Sequence, residues 1–459
     1  MNRFGQTMEK WFSSDMFSWT ELRKMFLTLL MDQSFIYIIS VLSTMLVSRV
    51  GEAAMAAVSL VGTVNGMVSL VFTALATGGG IVVSRAKGQG NVAEIQRAIG
   101  EVTGVCFLVA LILSTGMYAA ADTIVRLLYP DVEPLVTEYA VSYMRMMCIS
   151  FIPFSVYNAI FNVFRSLGDA RSSLFLTIVI NVAHLLFSLL FINGLSMGVN
   201  GSGLSYIVAR SVGMVVALFW MLKAHNLYGV RAAWFFRFSR KVTRELFSLG
   251  MPLAVESILL QGGMLLVNIY LARLSTMEMA AHARANSILN LYNTTAGALT
   301  VITGTICGQC FGAGKTELMR SYGRNLIRAG RVAMGLTSLV LYPLTPLLIL
   351  LFNVPPESRG IMYLCLAIAA VGMPLFACDS NMTAMILRVA GDSVYTGFCA
   401  VLALALGRCV LGYTLTIVLK MGICGVWIAL VFEWFFRTVL QRLRMRGTRW
   451  LKEEKAQQA

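Results

Sequence analysis

About twelve apolar runs dominate this sequence, each close to the ~20 residues that a helix needs to cross the roughly 30 Å hydrocarbon core of a bilayer. They lie near 25–48, 54–83, 99–120, 137–161, 172–193, 201–222, 246–272, 279–308, 324–352, 360–387, 395–418 and 422–441. In hydrocarbon every backbone N–H and C=O needs a partner within its own segment, so such runs are confined to helices. Composition points the same way: 58% of the 459 residues are hydrophobic and 13% charged, against about a quarter charged in soluble domains. The expected fold is therefore all-α and integral to the membrane, with twelve transmembrane helices.

The runs form two copies of one unit. Phe164-Arg165-Ser166-Leu167-Gly168-Asp169 returns as Leu387-Arg388-Val389-Ala390-Gly391-Asp392, 223 residues on (391 minus 168). Glu94-Ile95-x-Arg97-x-x-Gly100 returns as Glu317-Leu318-x-Arg320-x-x-Gly323 at the same offset, and Gly198-Val199-Asn200-Gly201 returns as Gly422-Ile423-Cys424-Gly425 at 224 (422 minus 198). Three echoes in one order define a duplication. An even number of spans per copy makes the copies parallel, so two six-helix lobes are expected, related by a pseudo-two-fold along the membrane normal, with a substrate site between them. The expected divisions are an interfacial segment 1–23, an N-lobe 24–222, a basic linker 223–245 that could form a short surface helix, a C-lobe 246–442 and a basic tail 443–459.

Charge orients the bundle. Lys and Arg outnumber Asp and Glu 37 to 22, for a net +15. In a membrane protein that excess belongs to cytoplasmic loops rather than to nucleic acid. Arg85, Lys87 and Arg97, then Arg165 and Arg171, Arg231 to Arg244, Lys315 to Arg328, Arg388, and Arg437 to Lys452 all fall on one side. The opposite connections are short or acidic, as at Asp131, Glu133 and Glu138. Both termini are expected to be cytoplasmic. Arg3, Glu9, Lys10 and Asp15 precede any apolar core, so the first span is expected to act as an uncleaved insertion signal.

Other chemistries are poorly served. Most of the nine Cys lie in apolar runs, where a thiol packs as a small hydrophobe. Cys307-Gly308-Gln309-Cys310 has no second Cys or His pair nearby to complete a zinc or redox site. His184, His225 and His282 are scattered with no nucleophile–base spacing, so no enzyme activity is expected. Gly312-Ala313-Gly314-Lys315-Thr316 lacks the spacing of a nucleotide-binding loop.

Together these landmarks resemble the multidrug and toxic compound extrusion (MATE) family, within a superfamily that includes polysaccharide and lipid-linked oligosaccharide flippases. The resemblance rests on Val50-Gly51-Glu52-Ala53-Ala54, Ala76-Thr77-Gly78-Gly79, both Gly-Asp motifs and Leu249-Gly250-Met251-Pro252 with Glu256. It continues through Gly308 to Gly314, Arg408, and Gly425-Val426-Trp427-Ile428-Ala429 with Glu433-Trp434 and Arg437. It implies a plasma (inner) membrane antiporter exporting amphipathic, cationic organic compounds in exchange for H⁺ or Na⁺ by alternating access. A flippase holding an anionic headgroup through intramembrane Arg is the alternative. The expected partners are a small-molecule substrate and the lipid bilayer, with no nucleic acid, no cofactor beyond the coupling ion, no metal, and a monomer as the functional unit. Many relatives carry an Asp-Thr pair in the first helix where this chain has Ser43-Thr44, and an acid where this chain has Leu185, next to His184.

Acids within spans become the coupling-ion candidates, because a charge at the bilayer centre costs at least about 2.5 kcal/mol unless a cavity, partner or ion receives it. They are Asp379, Glu256 and Asp32. Asp379 follows Pro374 in the tenth span and is the deepest, a carboxylate placed either to exchange a proton or to pair with an Arg of a neighbouring helix. Tyr37, Ser43, Gln261, Asn381, Arg284 and His184 are the substrate-cavity candidates. Arg145 and Arg408 are expected to bond to helix ends. Pro153 and Pro374, which precede the two Gly-Asp motifs, permit kinks.

Overall fold

A computed structural model describes residues 9, 12, 16–47, 52–130, 132–223, 230–351, 355–447 and 450–451, side chains at 40–47, 52–55, 223, 232 and 351 excepted. Asp131, Arg449, Lys452 and most of 1–15 lie outside the described residues, as does the side chain of Ser43. The described chain is helical, with no strand. Its first half holds α1 (Trp19–Val47), α2 (Glu52–Gln89), α3 (Val92–Ala119), α4 (Ala121–Leu128), α5 (Pro134–Ser166), α6 (Ala170–Ser188) and α7 (Gly198–Lys223). The second half holds α8 (Arg240–Leu271), α9 (Thr276–Gly312), α10 (Thr316–Leu341), α11 (Thr345–Leu351), α12 (Pro356–Gly372), α13 (Cys378–Val389), α14 (Ser393–Ala403) and α15 (Ile423–Arg446). Among the described residues nine helical stretches are long and apolar enough to cross a bilayer. The other three runs of the sequence fall on α1, α9 and α10, of 29, 37 and 26 residues.

The Gly-Asp echo has a structural cause. Gly168 and Gly391 adopt φ of 82° and 92°, a left-handed conformation that costs glycine little. In both copies the following Asp amide reaches back to close the preceding helix: Asp169 N–H donates to Phe164 O and Asp392 N–H to Leu387 O, each at 2.9 Å. The Gly amides donate to Arg165 O and Arg388 O, each at 3.0 Å. This bonding pattern satisfies terminal carbonyls and stops the helix. The motif is thus a stop between α5 and α6, repeated between α13 and α14. The copies differ in what the acid does next: Asp169 caps α6 by accepting from Ser172 N–H at 3.1 Å, whereas Asp392 accepts from Arg444 Nε at 2.7 Å.

The chain divides into two compact units, Ser34–Ala254 and Met1–Gln33 with Val255–Ala459. In the first, α5 packs against α2, α3 and α7 around Phe72, Met144, Met147, Cys148 and Phe151. Gly78 lets α2 approach α8 closely, since a Cβ there would lie 2.8 Å from Gly250 Cα. In the described part of the linker, Ala232–Phe236 is a short 3₁₀ helix whose Trp234 and Phe235 lie on Gly100 and Gly104 of α3. Glu101, buried in α3, secures the same linker by accepting from Ser239 N–H at 3.1 Å while pairing with Arg97 at 2.6 Å.

In the second unit α9 packs against α10, α12 and α13. Pro374 lies in a π-helical turn, Met373–Ala377, that joins α12 to α13, while Pro153 lies within an uninterrupted α5. Proline lacks the N–H that closes a regular turn, and a wider turn is one way to absorb that loss. The matching prolines are therefore accommodated differently. Cys307 and Cys310 are buried, free thiols.

Candidate functional site

In the unit that holds Val255–Ala459, the helices bring buried ions of both signs together. α15 is the organising element: Glu433, Arg437, Gln441 and Arg444 recur at spacings of 4, 4 and 3, which place them on one helix face. Glu433 pairs with Arg408, which lies in a π-helical segment, Leu404–Leu411, continuing α14. Arg437 donates to Ser380 Oγ at 2.8 Å and to Asn381 Oδ1 at 2.6 Å, tying α15 to α13. Its guanidinium also stands within electrostatic reach of Glu433, Glu256, Arg388 and Arg408.

Glu256, four residues past Pro252 in α8, is buried and receives Arg388 Nη2 at 2.8 and 2.7 Å on its two oxygens. Arg388 is the arginine of the Gly-Asp stop, and its Nε donates to Thr396 Oγ1 at 3.2 Å, across the turn. The helix stop and the buried carboxylate therefore share one side chain. Removing negative charge from Glu256 would release the Arg388 Nη2 end and with it the tie between α8 and α13.

Asp379 is fully buried and pairs with Arg331 at 2.7 Å and with Arg442. Of the two arrangements the sequence allowed, this is the ion pair with neighbouring helices, α10 and α15. The arginine side chains are 39% and 47% exposed, so they span the distance from the acid to the protein surface.

The remaining candidates are dispersed. Asp32 is buried in α1, and Tyr37, five residues on, is half-buried. Five residues turn a helix by about 140° beyond a full turn, so the two do not share one narrow face. Gln33 lies against Gly297 of α9. Gln261 is exposed on α8. Arg284 is half-buried, with Nη1 sealed from solvent and without an acceptor among the described residues. His184 of α6 lies against Tyr206, ring centres 4.2 Å apart.

Two expectations for arginines are corrected. Arg408 meets the carboxylate of Glu433 rather than a helix end, because α15 presents that acid at the same level as the π-helical segment. Arg145 is exposed and lies over the Tyr118 ring at 5.8 Å, at the margin of a groove of about 880 Å³ that also includes Asp122, Arg126 and Glu138. Arg408 and His282 line a second cavity of about 40 Å³ with Asn286 and Trp427, space for water rather than for an organic solute. Among the described residues no group of His, Cys, Asp and Glu has the arrangement of a metal site.

Sequence reading missed Arg331, Arg442 and Arg210, although each is legible. Arg331 and Arg210 lie within assigned apolar runs, and Arg442 stands one residue past the last. The 4, 4, 3 spacing on α15 was the other available signal.

The profile of the MatE family matches residues 29–190 and 252–414, two stretches that begin 223 residues apart (252 minus 29). "Probable multidrug resistance protein NorM" of Thermotoga maritima is 22% identical over 407 residues, covering 87% of this chain and 86% of its own. The solved structure "Crystal structure of MATE in complex with MaD3S" superposes with a TM-score of 0.85 at 16% identity, over 93% of this chain and 96% of that one. An "Outward-facing conformation of a multidrug resistance MATE family transporter of the MOP superfamily" gives 0.82 at 18% identity, over 93% and 95%.

Proposed function

The chain belongs to the MatE family of multi-pass membrane transporters, and on that premise we propose that it exports amphipathic organic compounds by alternating access, in exchange for H⁺ or Na⁺. The observation that carries the reading is Glu256: a buried carboxylate in a membrane-crossing helix whose Arg388 partner belongs to the helix stop of the second repeat. A coupling ion acts only if it binds two conformations with different affinity. A proton or Na⁺ at Glu256 competes with Arg388 for the same oxygens, so ion binding and the α8–α13 ion pair exclude one another. Asp379 offers a second such exchange, with Arg331 and Arg442 as the displaced groups. Asp32, buried in α1, is the third coupling-ion candidate.

The substrate walls come from the abundant Met and Phe, 27 and 26 in the chain, which are soft and polarizable. The cationic preference implied by the family resemblance draws no support from this unit, because Glu256, Asp379 and Glu433 are each already neutralised by arginine. The protein resides in the plasma membrane with both termini cytoplasmic, the orientation that keeps the basic connections inside.

Proteoliposomes loaded with ethidium and given separate proton and Na⁺ gradients test the reading. Wild-type protein should move the dye under at least one gradient, and Glu256→Gln should bind it yet fail to couple. Gradient-independent leakage by both proteins would remove the antiport mechanism. Coupling in Glu256→Gln equal to wild type would remove Glu256 from it.

A further inference from the structure

Arg210 stands near the middle of α7, twelve residues from its start at Gly198 (210 minus 198), or about 18 Å along the helix. It is 7% exposed. Nη1 donates to Ser150 Oγ at 2.7 Å. Around it stand the rings of Phe154 at 4.4 Å, Tyr206 at 5.1 Å and Phe151 at 5.9 Å from Cζ. Tyr143, hydrogen-bonded to Ser202, and His184 are the other ionisable groups in electrostatic reach. Among the described residues no carboxylate pairs with Arg210.

A guanidinium in this position has two needs. Its charge, far from bulk water, calls for a counter-charge, and aromatic faces supply only part of one. Its planar fork calls for acceptors in its own plane. Nη2 and Nε donate to no described acceptor, and neither is sealed in the core. The Tyr206 and Tyr143 hydroxyls stand within electrostatic reach of the guanidinium, and a phenol can donate to an anion. Phe151, Phe154 and Tyr206 add an apolar wall.

We propose that Arg210 is an anion-binding residue, which holds the carboxylate, sulfonate or phosphate-ester group of an amphipathic molecule through its free Nη2 and Nε. The occupant is a soluble organic anion or zwitterion, or the phosphate of a lipid. As a statement about transported substrate this rests on the exporter reading above; as a statement about binding it stands independently.

Fluorescein and rhodamine 123 share a ring system and carry opposite charge, so they separate charge recognition from apolar fit. Their affinities for the purified full-length protein are measured by fluorescence anisotropy in phosphatidylcholine nanodiscs. Two variants remove the free cation by different routes: Arg210→Met deletes it, and Ser150→Asp gives it an internal partner at its existing hydrogen-bond position. Fluorescein affinity should fall at least about tenfold in both variants, with rhodamine 123 affinity unchanged or raised. Replacing part of the phosphatidylcholine by phosphatidylglycerol weakens fluorescein binding if the resident anion is a lipid phosphate, and leaves it unchanged if it is a soluble anion. Wild-type affinity for fluorescein in a monodisperse variant, or equal loss of both dyes, would overturn the assignment. Failure of gradient-driven transport with charge-selective binding intact would count against the exporter reading and leave the anion site standing.

Discussion

The two repeats treat a membrane-buried arginine in opposite ways. In the second, Arg408 of the α14 continuation meets Glu433 of α15. In the first, an offset of 224 sets His184 opposite Arg408 (408 minus 224), and the buried arginine is Arg210 of α7, which faces aromatic rings and a hydroxyl. The helix stops at Gly168 and Gly391 match bond for bond. The backbone devices thus match while the electrostatics differ: Arg408 meets a carboxylate, and Arg210 has none among the described residues.

The largest expected effect lies in the satisfied copy. Arg408→Met strands Glu433, a carboxylate 4% exposed, and breaking a buried pair by removing one partner costs about 3–5 kcal/mol. Unfolding in detergent should show that loss, and Arg408→Met with Glu433→Met together should recover most of it. If the double variant were as unstable as the single one, packing rather than charge would explain the site, and the contrast with Arg210 would lose half its basis.

Next comes Asp379→Asn. Its arginine partners are exposed enough to reach lipid headgroups or water once released, so the structural cost is smaller than at Glu433 and a transport defect can be read directly. Ion-gradient-driven efflux should fall at least about tenfold, equivalent to about 1.4 kcal/mol, with expression intact. Wild-type coupling in this variant would confine Asp379 to a structural role like that of Glu433.

These pairings explain what could be read in the sequence and what could not. The helices were legible because a bilayer leaves long apolar runs little choice of structure, and the repeat was legible because a left-handed glycine followed by a helix-closing amide demands a particular short motif. Buried acids were visible as isolated charges in apolar runs. Their partners were not: Glu256 and Arg388 are 132 residues apart, and Asp379 and Arg331 are 48 apart on different helices. Only packing selects one arginine from the several available. The cavity candidates Gln261 and Tyr37 show the same limit, since a polar residue within a span does not report which way its helix turns. Arg210 is the reverse case, plain in the sequence as a charge within a span, with its aromatic and hydroxyl surroundings set by packing.

A smaller effect is expected from Arg210→Met. Deleting a buried charge that has no ionic partner strands no counter-ion, so stability should stay within about 1 kcal/mol of wild type or rise. Unfolding midpoints of Arg210→Met and Arg408→Met, compared under the same conditions, give the contrast its most direct number. A loss of several kcal/mol at Arg210 would mean that the aromatic rings and Ser150 already satisfy the guanidinium, and the two repeats would differ in partner chemistry rather than in completeness.

The smallest effect calibrates the others. Asp122 and Arg126 form a pair one turn apart on α4, in the same unit as Arg210, with side chains 49% and 69% exposed. Water and salt screen such a pair, and exposed helix pairs contribute about 0.3–0.5 kcal/mol. Asp122→Asn should therefore shift unfolding by no more than that, and less as salt is raised. Burial is the variable that separates Arg126 from Arg408, and the presence of a carboxylate separates Arg408 from Arg210. Only if Arg126 responds weakly, Arg408 strongly and Arg210 weakly again does the series isolate the missing counter-charge as the feature that makes Arg210 available to an incoming anion.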